Sequence, residues 1–344
     1  MGRGTNDNDL EPGDLPFEIH HVPTVDRGCW AALYPDPRKL LMRGVFLISC
    51  RSVSSFVLLV SPKSEKMLSL EGGSAVAEWS DFYQRLQQHQ SVSNFLIRHR
   101  DLTCLRVDEE HFLVIANDSL GGIGSKPLDF VQASPETVGY FALRVPLMEI
   151  LSVGALPFLI IDNLSVEQEP YGKAILTEIR RIAETLGLED VVHFNGSTEE
   201  NVPVAQTGVG VTVVGVVKSS RLQGNDSRPG DLLIVGGLPK SAPHHEVTPT
   251  DRELISFRDL EVLRADTGVI DMIPVGSKGI LYETQELARS AKLQIQLEND
   301  VSISLQTSGG PSTCVVFSWR GTAIDHLSEK IETPLTVIGQ LKDK

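Results

Sequence analysis

Apolar positions along this chain change period repeatedly, from runs that suit buried strands to stripes that suit amphipathic helices. HFLVIAN (111–117) is a buried-strand run that ends in Asp118 and the glycine-rich turn SLGGIGSKP. Ser134 and Pro135 then open a helix, serine as the cap and proline in the first turn. Its apolar face reads Val138, Phe141, Ala142, Val145, Met148 and Ser152, with a kink expected at Pro146 and an end at Gly154. LPFLIID (156–162) is the next strand, and Lys173 to Leu186 the next helix, stopped by Gly187. VVHF (191–194), TGVGVTVVGVV (207–217) and RPGDLLIVGG (228–237) continue the strands. Helices follow near 251–264, 280–292 and 321–331, with strands near 301–305 and 313–318 and a closing strand in PLTVIGQL. Strands and helices interleave in both halves, so the pattern predicts a mixed α/β chain.

The first quarter is less regular. Residues 1–20 read as an acidic tail, GVFLISC and SSFVLLVS (44–61) as a short hairpin, and residues 77–99 as a helical stretch. No chemical motif lies there. Residues 1–98 are therefore expected to be an extension or accessory region, with KSSRLQGNDS (218–227) linking units 99–220 and 221–344.

At 344 residues the chain can hold two or three domains, and 41% hydrophobic residues are ample for a core. A net charge of −14 argues against a nucleic-acid binder, because phosphate backbones are held by clustered cations. It leaves room for phosphate chemistry through bound Mg²⁺. Cys29, Cys50, Cys104 and Cys314 show no C-x-x-C spacing, which suits a reducing cytoplasm. The acidic N-terminus is unlike a signal peptide, and Arg51 in the most apolar stretch argues against a membrane span.

Common nucleotide and hydrolase motifs are missing. GGIGSKP approaches G-x-x-x-x-G-K-S/T but puts proline after the lysine, and there is no G-x-G-x-x-G, H-E-x-x-H or G-x-S-x-G. His244 and His245 sit in a polar loop, where a solvated pair is the ordinary reading.

Segments in order nevertheless resemble the aminoimidazole ribonucleotide synthetase-like superfamily, which includes thiamine-monophosphate kinase, selenophosphate synthetase and the hydrogenase-maturation carbamoyl dehydratase. IANDSLGGIGSKPLD (115–129) is similar to the family's strand, aspartate and glycine turn. MEILSVGALPFLIIDNLSV (148–166) resembles its helix-then-strand segment, NGSTEENVP (195–203) its G-G-x-T segment, and RPGDLLIVGG the start of its second domain. IDMIPVGSKGILYE (270–283) and SGGPSTCVVFS (308–318) are similar to glycine turns of that second domain. DSLGGIGSKPLD, VGYFALRVPLMEIL and TEENVP most resemble the α-ribazole kinase branch.

The resemblance implies two α/β domains facing an ATP cleft, with the first domain's sheet forming a barrel across a homodimer. It implies a cytoplasmic small-molecule kinase that uses ATP and Mg²⁺ to phosphorylate a riboside, α-ribazole as the best candidate, with no nucleic-acid or membrane partner. Asp118, Glu149 and Asp162 are the expected metal ligands. Gly121, Gly122, Gly124, Asp162 and Arg144 would hold the nucleotide or an anionic substrate. Asp118, Lys126 and Glu199 would serve catalysis, with Glu200 and Asn201 as neighbours able to substitute. Glu149 stands where relatives carry aspartate, and Thr198 where they carry an acid or histidine. Those departures leave two alternatives open, an amide-activating cyclo-ligase or dehydratase and an ATP-binding protein without catalysis.

Overall fold

The computed structural model describes residues 73–222, 226–321 and 324–344. The expected tail and the hairpin at 44–61 lie outside them. Helix α1 (Gly73–Gln87) ends well before His99, because residues Leu96–His99 already form β1. β1 pairs antiparallel with β2 (Leu102–Arg106), which leads into β3 (His111–Gly121). After the two-residue strands β4 (Ile123–Gly124) and β5 (Val131–Gln132) come helix α2 (Pro135–Ser152) and β6 (Leu156–Leu164). Helix α3 (Lys173–Thr185), β7 (His193–Thr198) and β8 (Gly208–Lys218) complete the first half. Its six strands run in the order β1-β2-β3-β8-β6-β7, all antiparallel except the β6–β7 pair.

The alternation in β8 explains the layering. Val209, Val211, Val213 and Val217 are buried on one face, while Gly208, Gly210, Thr212, Val214 and Val216 look the other way. The buried face receives α2, which also packs on α3. Ser134 caps α2 by accepting from the Thr137 N–H, and the helix continues through Pro146. Its apolar positions are not confined to the expected stripe: Leu143, Leu147 and Ile150 are fully buried as well. A helix apolar all round belongs in a core. α2 meets that description because the second half of the chain covers its far side. Gly139 permits the α2–α3 approach, since a Cβ there would stand 2.6 Å from the Ile175 carbonyl oxygen.

The second half supplies β9 (Leu232–Gly236), α4 (Phe257–Ala265), β10 (Val269–Pro274), α5 (Gly279–Ser290), β11 (Gln294–Leu297), β12 (Val315–Trp319), the short α6 (Asp325–Ser328) and β13 (Leu335–Lys342). Its five strands lie in the order β10-β12-β9-β13-β11 and are antiparallel throughout. One face packs on α5 through Leu233, Val235, Ile273 and Val316. The other joins Ile234, Met272 and Phe317 to the α2 core, so one apolar cluster runs through both halves. Two expectations fail here. Residues 301–305 are not a strand; Val301, Ile303 and Leu305 pack on the second core from a loop. The helix expected over 321–331 is reduced to α6.

Candidate functional site

β3 does not stop at Asp118. It continues to Gly121, and Asp118 is paired with Val211 of β8. Val211 is paired on its other side with Asp162 of β6. The two aspartates therefore lie in one row across three strands on the same face, two strand spacings or about 10 Å apart. Val211 stands between them, and the Asp162 carboxylate lies against Gly196 of β7, on the far side from Asp118.

Asp118 faces a cleft of about 780 Å³ whose other wall comes from the second half of the chain. Glu149 reaches the same cleft from α2, together with Asp101 from the β1–β2 turn. Opposite stand the loop 241–248, Gly276 and Ser277 ahead of α5, and Gly310 to Ser312 ahead of β12. Val138, Phe141 and Val145 of α2 give the cleft an apolar floor. Its chemistry is set by carboxylates held close together. Burial pushes Glu149 up to about 8, and the charges of Asp101, Glu283 and Asp118 add to the effect against Arg100. Glu283, buried on α5, is pushed up to about 7 by burial and then by Asp101 and Glu286. Burial also raises Asp118. Arg100 does not neutralise the group, because its guanidinium is ion-paired with Asp271 and donates to the Met272 carbonyl.

The raised pKa of Glu149 makes a stability prediction for the metal-free protein. Below the ordinary carboxylate range both folded and unfolded chains hold the proton, so the acid costs nothing. As pH rises toward about 8 the unfolded chain ionises while the folded one resists, and stability falls. The thermal midpoint in EDTA should therefore drop between pH 5 and pH 8, and Glu149→Gln should flatten that drop. An equally steep profile in the variant would remove Glu149 as its source.

The remaining expected site residues fall elsewhere. Asp162 is buried, with its pKa raised by burial and opposed by Arg180. Gly196 of β7 leaves room for its carboxylate, since a Cβ there would stand 2.1 Å from Oδ1. Lys126 is buried, ion-paired with Glu167, and 4.8 Å from the Tyr171 ring centroid. The hydrogen bond from Lys126, aided by main-chain donors that include Val204, holds Glu167 down to about 2. That lysine does not line the cleft. Arg144 is neither an anion contact nor a surface ion pair. It is fully enclosed and donates to the carbonyls of Ser312 and Ile255 and to the Tyr140 hydroxyl. Glu199 accepts from the N–H groups of Asn201 and Val202, and Glu200 from Gln168 N–H and the Thr198 hydroxyl. Glu199 ties down its own loop, Glu200 joins that loop to Gln168, and neither lines the cleft.

Of the glycines, Gly121 lines the cleft. Gly122 has its N–H committed to the Thr207 carbonyl at 2.9 Å, so that amide is not free for a phosphate. Gly124 packs against Thr207 and Asp129, where a Cβ would stand 2.3 Å from Thr207 Oγ1. Asp129, which the sequence did not single out, organises this turn by accepting from Lys126 N–H and from Thr207 N–H and hydroxyl. Asp101, Glu283 and the loop 241–248 were also missed. The segments GSKG and SGGPS were visible as glycine turns, but nothing in them marks which side chains share a cleft with Asp118. Among the described residues, no group of three or more His, Cys, Asp or Glu side chains is arranged to hold a metal ion. No described helix is long and apolar enough to cross a membrane.

Residues 99–217 match the family described as "AIR synthase related protein, N-terminal domain". A curated relative, phosphoribosylformylglycinamidine cyclo-ligase of Methanothermobacter thermautotrophicus, is 28% identical over 203 residues, which covers 54% of each chain. This chain thus spans about half the length of that relative. Among solved structures, thiamine-monophosphate kinase from Stenotrophomonas maltophilia K279a superposes with a TM-score of 0.50 at 16% identity, covering 79% of this chain and 94% of that one. T. maritima PurL complexed with ADP gives 0.51 at 14% identity, covering 76% and 45%. At such identities these structures speak to fold alone, and the fold they share is the two-domain one expected. Residues 99–217 thus carry the match to the AIR synthase-related N-terminal domain, and it is through this segment that the chain is similar to the cyclo-ligase.

Proposed function

We propose that this protein is an ATP-dependent small-molecule kinase that phosphorylates a hydroxyl of a riboside, with α-ribazole the first acceptor to try. One observation carries the reading: Asp118 and Glu149, from separate elements, face a single cleft roofed by glycine-containing loops of the second half. The reading divides the chain at about residue 220 into a nucleotide-binding half and a covering half, with residues 1–98 ahead of them.

The donor set fits magnesium with a nucleotide better than a closed metal cage. Magnesium commonly takes one or two carboxylates and completes its octahedron with phosphate oxygens and water. Two cleft carboxylates that resist ionisation beside each other have reason to accept a cation. Asp118 and Glu149 would hold it. The bound Mg²⁺-ATP supplies the phosphoryl group and offsets charge on its oxygens. The chain's own residues do the positioning. Phe141 and Val145 form an apolar floor for a flat base, and the Gly310–Ser312 turn lets main chain approach closely. His245 and Glu246, in the opposite loop, are the polar side chains best placed to orient an acceptor hydroxyl. The exposed Leu156 and Phe158 on β6 support a homodimer through the outer face of the first sheet; sedimentation velocity should give twice the chain mass.

Incubation with ATP, Mg²⁺ and α-ribazole should yield a phosphomonoester of the riboside, read by phosphorus NMR. Its absence would sink the α-ribazole assignment. The curated cyclo-ligase relative supports a second reading, ATP-driven ring closure through an activated amide. That reading gives ATP hydrolysis dependent on an amide or amidine substrate, with no phosphorylated alcohol.

A further inference from the structure

A second cavity, of about 630 Å³, opens where the two halves meet on the side of α2 away from Asp118. Its walls combine the end of α2 and the start of β6 with the last turn of α4 and the start of β10. Two arginines line it, Arg264 from α4 and Arg221 from the turn after β8. Among the described residues, neither guanidinium has a carboxylate within salt-bridge distance or a hydrogen-bond acceptor. The cleft mechanism uses neither.

Burial lowers the proton affinity of Arg264, and Arg221 is the next contributor; Asp271 opposes them but is already ion-paired with Arg100. Of the acids on the cavity wall, Asp266 is engaged by Lys330, by the Gly268 N–H and by His326, while Glu261 and Asp226 are exposed. Gly154 makes room for the Arg264 guanidinium, because a Cβ there would lie 2.6 Å from Nη2. The glycine is at φ +69°, so both its conformation and its missing side chain favour the cation's position. A basic residue in the last turn of a helix is favourable in itself. That accounts for an arginine at 264, but not for a second guanidinium turned to the same cavity with no described carboxylate within 4 Å of it.

Paired guanidinium forks match the oxygens of a phosphoryl group in bidentate fashion. Beside them the wall is apolar: Leu151, Ala155, Leu260 and Val269. We infer that this cavity is a binding site for a phosphomonoester carrying a small apolar group, held by Arg221 and Arg264 and separate from the carboxylate cleft. Such a ligand bridges both halves of the chain, and its apolar part lies against Leu151, two residues beyond Glu149 on the same helix.

Phenyl phosphate is a suitable probe. Calorimetric titration of the full chain in EDTA, which keeps a cation out of the carboxylate cleft, should show saturable binding. Arg264→Gln and Arg221→Gln should each weaken it by roughly tenfold, the loss of one strong charge-assisted contact. Glu149→Gln should leave it unchanged. Arg221 is exposed on a turn, so its variant keeps the test informative should Arg264→Gln fold poorly. No saturable binding by the native chain, binding that survives both arginine changes, or binding lost in Glu149→Gln would each overturn the site.

Discussion

Asp118→Asn should reduce turnover with ATP and acceptor by about 10² to 10³-fold or more, the scale seen when one charge-stabilising group is removed from a preorganised site. The change keeps size and polarity, and Asp118 sits within a stretch of β3 paired without a break to β8. The fold should therefore persist, with a melting midpoint equal to or above that of the native chain because a partly enclosed carboxylate has been removed. Mg²⁺ dependence should weaken along with the rate. Turnover within twofold of native would exclude Asp118 from the chemistry, and with it the kinase reading of the cleft.

Arg144→Met should be the most destabilising single change in the described chain outside the apolar core. The side chain is fully buried, yet it is hydrogen-bonded to Ser312 O at 2.9 Å, to Ile255 O and to Tyr140 Oη at 3.3 Å, with the Phe257 ring centroid 5.4 Å away. Methionine fills much of the volume but leaves those carbonyls without donors. Breaking such a buried set costs about 3–5 kcal/mol. For a unit of this size that corresponds to a fall of roughly 10 °C in melting midpoint. Arg144→Lys should not restore it, because a single ammonium cannot span acceptors on two loops. A midpoint shift under 2 °C for the methionine variant would show that the carbonyls find other partners.

These two residues also illustrate what could be read from the sequence. β3, α2, β6, α3 and β8 are legible because strong period-2 or period-3.6 patterns are bounded by serine, proline and glycine. That Asp118 would face a cleft was legible for the same reason, since it is a charged residue following an apolar run. Arg144 was not. Its neighbours on α2 mark a helix, but its partners lie 111 and 168 residues away in the chain, and no local pattern announces that a cation will be enclosed by main-chain carbonyls. Asp162 was misread through the opposite weakness. Its strand was correct, but only the register through Val211 reveals a whole strand standing between it and Asp118. Residues 301–305 show a subtler failure. The alternation of Val301, Ile303 and Leu305 does direct apolar side chains inward, as expected, while the segment lacks a neighbouring strand to complete a ladder. β11 was missed for a related reason: four residues reading QIQL carry too little pattern to stand out, and it is pairing with β13 that makes them a strand.

The apolar cluster shared by both halves limits how this molecule can move. α2 is seated against β3 and β8 on one side and against α4 and β10 on the other, with Arg144 riveting it to Ser312 and Ile255. Swinging the halves apart like jaws would tear close-packed side chains out of contact and wet them, a penalty of many kcal/mol. Were the cleft to turn over substrate as proposed, exchange would have to pass the segment 241–248, whose hydrogen bonds are largely local, and turnover should then respond to changes that stiffen it.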